Sequence, residues 1–508
     1  MPRIFEYDTE KVNNLFGEHS IFENREIAAD STTKFFQSDV TIAISMYKDL
    51  EKTKRCVDSV MKYTTGIDFD LIFLIDGAQD GIFDYFKNFE YEKTTIIYNT
   101  ANRGGGVPWR FVCLNMLSEY VVSMASDVIV THNWLSNMLT CLKSDPKIGM
   151  VVPMSSNVSN LQCTDLGGFS SEEEMQKKAA VFNQSDPLKW EERLRLINIV
   201  QVFRKPALMV LGIPYSDAGF VHNFGDDDLS FTMRRSGYKT ILAGDTWIHH
   251  DHVRVTTSKE EYDSFNKSIA IGREDFKTKY YGIDAWDDVN NFIFYKDYIS
   301  DTQSNIPNIL GIDTRCGTPI LEIKNAIKNH GKLISNCYAI TSNPKYFLDL
   351  TTICGSDCVV CGDPLQSLDK FVIGSMDYII IDNYINQYKD TFELIRKCAS
   401  LLKDNGHIYV SLKNVYDLLS YMEMLGYINN IKNEAAISYT YSQFFNKIKD
   451  MGGDIKCIFA EQISPEEVKN ILPLAENILQ KSLNMNNEPQ KKADMLMIKK
   501  WVFDITLG

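Results

Sequence analysis

Four groups of carboxylate and imidazole side chains fall where apolar runs of the sequence end. Asp76 ends "FDLIFLID", and Asp127 ends "YVVSMASD". Asp226, Asp227 and Asp228 stand in "GDDDLSF", ahead of the helical "LSFTMRRSG". His249, His250 and His252 stand in "TWIHHDH". Carboxylate oxygens suit magnesium or manganese, and an added imidazole moves the preference toward manganese. The same groups serve as general bases. Strand ends of open α/β sheets are where ligands sit. Each group also has a plainer role. An Asp after an apolar strand more often makes a turn or caps a helix. A run of three Asp more often marks a solvated helix start, where the helix dipole favours negative charge. A His pair at a strand end is more often exposed than metal-bound. No group decides the matter alone; their order along the chain is the informative feature.

Such groups need a sheet to hold them. "VTIAIS" from Val40 reads as a buried strand, and "LEKTKRCVDSVMKYT" as an amphipathic helix with Leu50, Cys56, Val60 and Met61 on its apolar face. "FDLIFLID" and "TTIIYN" are two more strands. Alternating strand and helix predict an α/β fold, with a mainly parallel sheet covered by helices. Residues 1–38 read as an irregular or helical leader. A second alternation begins near Asn308, with strands at "NILGID", "GKLISNCYAI", "SMDYIIID" and "HIYVSL". Helices are expected at "TPILEIKNAIKNH" and at "TFELIRKCASLLKDNG", the latter closed by Asn405 and Gly406. The C-terminal stretch reads as largely helical, ending in the strand-like "DMLMIKKWVFDIT". The expected organisation is a leader over 1–38, an α/β domain over 39–283, a connector over 284–307 and a second α/β domain over 308–508.

Composition narrows the partners. The 508 residues carry 53 Lys and Arg against 67 Asp and Glu, for a net charge of −14, with no basic run. Nucleic acid as partner is excluded, because phosphate binding needs a basic footprint. No stretch approaches the apolar length of a membrane span, and the N-terminal "MPRIFEYDTEKVNNLFGEHS" lacks the apolar core of a signal peptide. Eleven Cys without such a signal point to reduced thiols and a cytoplasmic location. Cys354, Cys358 and Cys361 in "CGSDCVVCG" have an iron–sulfur-like spacing. They lead into an apolar strand without a Gly-rich helix start, and read as buried small hydrophobes.

In sequence order the first set of motifs resembles the family-2 glycosyltransferases of GT-A fold, over about residues 39–283. "LIDGAQDG" is similar to the family's nucleotide-contacting "vDngStDgt". "NRGGGVPWRFVCLN" is similar to "N.G...a.N.g", and "MASDVIVTHNWL" to the short DxD segment "lnsDvevtpgWl". "GDDDLSFTMRRSGYKTILAGDTWIHH" resembles "EDvDLclRlrraGyki.yvpda.v.Hh", and "FKTKYYG" resembles the closing "F..KyG". The resemblance implies a bacterial, metal-dependent, inverting transfer from a nucleotide sugar, with UDP-N-acetylglucosamine the commonest donor. It implies a manganese or magnesium ion on the donor diphosphate, held by Asp127 and His250, with His249 or His252 as substitutes. Val128 replaces the second acid of a full DxD. The resemblance implies Asp226 as general base, with Asp227 as alternative because Gly225 replaces the family's Glu. It implies Tyr47, Asp76, Asn102, Arg103, Gly104, Trp109 and Ser126 as donor-binding residues.

The second alternation resembles class I S-adenosylmethionine-dependent methyltransferases. "RCGTP" sets Arg315 and Pro319 where that family has glycines, and Ala339, Ile340 and Thr341 stand where its ribose-binding acid belongs. The expectation is a methyltransferase-like fold that binds no S-adenosylmethionine and serves the acceptor. A transferase joined to such a domain is similar to enzymes that glycosylate Ser or Thr of bacterial surface proteins such as flagellin. A polysaccharide or lipid-linked acceptor, or a non-catalytic scaffold of two degenerate domains, are the competing readings.

Overall fold

The computed structural model describes residues 1–6, 35–78, 80–100, 109, 112–113, 115–209, 217, 220, 223–251, 258–291, 298–424, 437–464 and 495–507. The chain divides into two compact units, 1–291 and 292–508.

In the first unit ten strands form one sheet: β1 (Arg3–Glu6), β2 (Val40–Met46), β3 (Phe69–Asp76), β4 (Thr94–Asn99), β5 (Tyr120–Ala125), β6 (Val128–Ile129), β7 (Ile148–Ser155), β8 (Trp190–Glu192), β9 (Val200–Arg204) and β10 (Lys239–His250). Their order is β1-β4-β3-β2-β5-β9-β7-β10-β6, with β8 also on β10. The half from β1 to β5 is parallel, while β9 runs antiparallel to both β5 and β7. Strands such as "FDLIFLID" are buried along their whole length because helices cover both faces. Helix α1 (Leu50–Tyr63) starts where the Asp49 carboxylate accepts from the Lys52 amide, and it buries Cys56, Val57 and Val60. Met61, expected on that apolar face, is exposed instead. The expected leader is not wholly irregular: β1 pairs with β4 in parallel register.

The second unit holds β11 (Asn308–Ile312), β12 (Asn336–Thr341), β13 (Val359–Cys361), β14 (Met376–Ile381), β15 (Leu402–Lys413), β16 (Gly453–Gln462) and β17 (Ile498–Leu507), in the order β13-β12-β11-β14-β15-β17-β16. Strands β11 to β15 are parallel, and β17 pairs antiparallel with β15 and β16. Three expectations fail here. β16 is a strand within the stretch expected to be helical, because its backbone pairs with β17 and Ile455 and Ile458 are buried on the sheet. The helix expected to close at Asn405 and Gly406 ends at Leu401; Asn405, at φ 61°, turns the chain further on. Cys354 and Cys358 are half-buried and Cys361 is exposed, so they are not all buried fillers. Among the described residues no group of three or more His, Cys, Asp or Glu could hold a metal ion.

Candidate functional site

Sheet pairing brings two of the expected residues together. β6 lies antiparallel to the end of β10, with His250 opposite Val128 and His249 opposite Ile129. The Asp251 amide donates to the Asp127 carbonyl at 2.8 Å, which fixes the chain on both sides. Lys52 Nζ donates to the Asp251 carbonyl at 2.6 Å and Arg55 pairs with its carboxylate at 2.8 Å, tying the tail of β10 to α1. Asp127 therefore sits beside His250, with Oδ2 3.4 Å from Nε2. His250 Nδ1 lies 2.7 Å from the Asn157 carbonyl, which holds a proton at Nδ1 and leaves Nε2 facing the Asp127 carboxylate. Burial lowers the basicity of this imidazole. The Asp127 carboxylate and the Asn157 carbonyl outweigh that, and the net shift is upward.

Successive residues of a strand face opposite sides. His249 accordingly turns away: its Nδ1 lies 2.9 Å from Ser156 Oγ and its ring meets Phe169 edge-on. Burial lowers its pKa. One carboxylate and one imidazole nitrogen, the latter oriented through a backbone carbonyl, fit a divalent cation whose remaining positions are filled by phosphate oxygens or water. His252 lies outside the described residues.

The three adjacent carboxylates have three different fates. They open α2 (Gly225–Arg235), which starts from Phe224 in the left-handed region. Asp228 is buried and accepts from Tyr280 Oη and Lys279 Nζ, each at 2.6 Å. Lys279 also pairs with Asp217 at 2.9 Å. Asp227 is 5% exposed and closes on the Arg195 guanidinium. Asp226 is half-buried, and its carboxylate accepts from the Asn198 backbone amide. Burial and the neighbouring Asp227 raise its pKa to about 6, against smaller downward pulls from that amide and from Arg195. A carboxylate in this range is ionised at neutral pH yet basic enough to accept a proton.

The other expected residues scatter in environment. Asp76 ends β3, buried, with Asn99 Nδ2 at 3.4 Å from Oδ1. Tyr47 is 43% exposed just after β2, and Ser126 is half-buried in the turn between β5 and β6. Trp109 is 1% exposed and packs into the core with Ala43, Leu74 and Val121. Asn102, Arg103 and Gly104 lie outside the described residues. Sequence reasoning missed Arg195, Asn198, Ser156, Asn157 and Asn160, which carry no local motif. Lys279 and Tyr280 were visible within "FKTKYYG", but only the structure shows them bound to Asp228.

In the second unit the corresponding strand ends are closed on themselves. Asp313, at φ 49° after β11, accepts from the Ser342 amide at 2.6 Å and from Tyr388 Oη at 2.7 Å. Arg315 Nε approaches Asp382 Oδ2 at 3.7 Å. Gly317, at φ 104°, has no room for a Cβ beside Ile353.

Residues 41–185 match the family model described as glycosyl transferase family 2. The first unit thus carries a glycosyltransferase domain, and Asp127 lies inside the matched segment. No curated protein matches the chain. Solved structures similar to it include the mannosyltransferase PcManGT from Pyrobaculum calidifontis in complex with GDP-Man and Mn2+. That chain is 14% identical, with 55% of this chain and 74% of that one covered and a TM-score of 0.34. GalNAc-T7 with UDP, GalNAc and Mn2+ is 11% identical, with 48% of this chain and 50% of that one covered and a TM-score of 0.35. A SAM-dependent methyltransferase from Archaeoglobus fulgidus is 18% identical, with 48% of this chain and 97% of that one covered and a TM-score of 0.28. No helix among the described residues is long and apolar enough to cross a membrane.

Proposed function

We propose that the chain is a metal-dependent, inverting glycosyltransferase that moves a sugar from a nucleotide donor to a hydroxyl. What carries the reading is the approach of His250 Nε2 to Asp127 at 3.4 Å, within a unit matched to the glycosyl transferase family 2. Asp127 and His250 would hold manganese or magnesium, which when bound neutralises the charge gathering on the departing diphosphate. Asp226 takes the proton of the attacking hydroxyl. The hydroxyl oxygen bonds to the anomeric carbon as the bond to the diphosphate breaks, and the electron pair leaves with the nucleotide. Of the three carboxylates Asp226 suits this role, because Asp227 is closed on Arg195 and Asp228 on Lys279 and Tyr280. Tyr47, Asp76, Ser126 and the segment containing Asn102, Arg103, Gly104 and Trp109 are assigned to the donor.

The donor is assigned as UDP-N-acetylglucosamine, and the acceptor as a Ser or Thr hydroxyl of a protein such as flagellin. The second unit, taken as a methyltransferase-like domain without methyl transfer over 308–508, serves that acceptor. Its closed Asp313, Tyr388 and Ser342 network supports the absence of cofactor binding. Release of UDP from UDP-N-acetylglucosamine, measured with manganese and with a chelator, tests the reading: metal-dependent release is expected. Absence of release from a panel of UDP- and GDP-sugars in the presence of candidate acceptors would overturn it in favour of a scaffold.

A further inference from the structure

Beside Asp226 lies a segment with no assigned part in the reaction, residues 193–198 between β8 and β9. It is held with unusual completeness. Asn160 Nδ2 donates to the Arg195 carbonyl at 2.9 Å, and Arg195 Nη1 donates back to Asn160 Oδ1 at 3.2 Å. Gln162 bonds both backbone groups of Ile197, accepting from the amide at 2.7 Å and donating to the carbonyl at 3.0 Å. Arg193 Nη1 donates to the Asn160 carbonyl at 2.9 Å. Two ends of this segment reach α2: the Arg195 guanidinium on Asp227 and the Asn198 amide on Asp226. The Asn198 side chain has both its amide nitrogen and its oxygen buried with no hydrogen-bond partner. A buried polar group without a partner is costly.

We propose that Arg195 is a positioning residue, whose ion pair with Asp227 leaves Asp226 as the open carboxylate and whose anchored loop aims it. This rests on the reading of Asp226 as the base. Among the described residues the charged groups acting on Asp226 are Asp227 on its own helix and Arg195 on the loop, and they act in opposite directions. Removing the cation withdraws an attraction for the ionised form and frees Asp227 from its pairing. Removing the Asp227 charge withdraws a repulsion. The two changes must therefore move the acidity of Asp226 in opposite senses, which general damage to the loop would not do.

The test is the pH profile of kcat/KM for UDP release from UDP-N-acetylglucosamine with manganese, in wild type, R195M, R195K, D227N and the double variant R195M/D227N. R195M should raise the acid limb by about 1 pH unit and D227N should lower it by a similar amount. The double variant should return to or below the wild-type limb, and R195K should stay close to it. In parallel the Asp226 carboxyl carbon, assigned by its loss in D226N, is titrated by NMR in the same proteins without donor. Carboxyl titrations that shift in this pattern uphold the proposal even where no UDP is released, in which case the functional reading fails alone. An acid limb and a carboxyl titration unchanged in folded D227N, or moved the same way by D227N and R195M, overturn it. Should R195M not fold, D227N still decides the sign, because loss of the like charge must lower the acid limb and the carboxyl titration.

Discussion

Both units place carboxylates at the ends of strands or helices, and they treat them in opposite ways. In the first, Asp127 stands 3.4 Å from the His250 imidazole, and Asp226, at the start of α2, is burdened by burial and a like charge. In the second, Asp313 is satisfied by an amide and a phenol, and Asp377, almost wholly buried, takes Lys403 at 2.7 Å, Thr302 at 2.6 Å and the Asn308 amide at 2.8 Å. Those bonds hold the Asp377 carboxyl below the ordinary range against the upward pull of burial. A carboxylate with its lone pairs committed to fixed donors fastens a fold; one whose pKa is raised by burial and a like charge is suited to chemistry.

The largest break in that contrast is expected from D226N. It should reduce UDP release by roughly 10²–10⁴-fold, as loss of a general base does, while calorimetric titration with UDP and manganese stays close to wild type. Wild-type turnover would remove Asp226 from the mechanism. Next come D127A and H250A, which should raise the manganese concentration for half-maximal activity by at least the ~10–100-fold typical of disturbing a metal ligand's support. An unchanged manganese titration in both would dissolve the pair.

Stability should reverse the ranking of the two units. D313N and Y388F break a satisfied buried bond and should cost about 1–3 kcal/mol in urea unfolding. D226N should not destabilise at pH 8. The folded pKa of Asp226 lies near 6, above the unfolded value. Its contribution to stability is fully present only below the unfolded pKa and is lost as pH rises through about 6. If D226N costs as much as D313N, the contrast is wrong. Calorimetry with S-adenosylmethionine sharpens it further: no saturable heat is expected from a crevice closed by Asp313, Ser342 and Tyr388.

A last test concerns a carboxylate at the opposite end of β3. Asp70 is wholly buried; Oδ1 accepts from Thr41 at 2.8 Å and Oδ2 has no partner. Burial raises its pKa to about 7. Stability should therefore fall as pH rises from about 4 to about 7, by up to about 4 kcal/mol, and D70N should flatten that slope in thermal unfolding. An unaltered slope would place the titrating group elsewhere.

What the sequence disclosed follows the physics of each signal. Strands buried on both faces read as apolar runs, so β2, β3 and β4 were visible. β1 is four residues of "RIFE", mostly exposed, and exists only because β4 offers it an edge. β16 mixes Lys456 and Glu461 with apolar residues, and its identity is settled by pairing with a distant strand. Asp127 and His250 stand far apart in sequence, yet a two-residue strand sets them together; only their motif order hinted at this. "GDDDLSF" showed three like carboxylates. Which of them is left open depends on Arg195 and Lys279, and no spacing rule reaches those residues. Likewise the sequence supplied three histidines in four residues, and strand alternation turned His250 toward Asp127 and His249 away from it.

The loop 156–162 serves two masters. Ser156 and Asn157 fasten His249 and His250, while Asn160 and Gln162 fasten residues 195–197. Asn160 and Leu161 adopt φ of 65° and 55°, a region ordinary side chains avoid. The proposed proton acceptor and the proposed cation seat thus hang from a single taut bridge, and an insertion there would detune both at once, whichever end it was meant to alter.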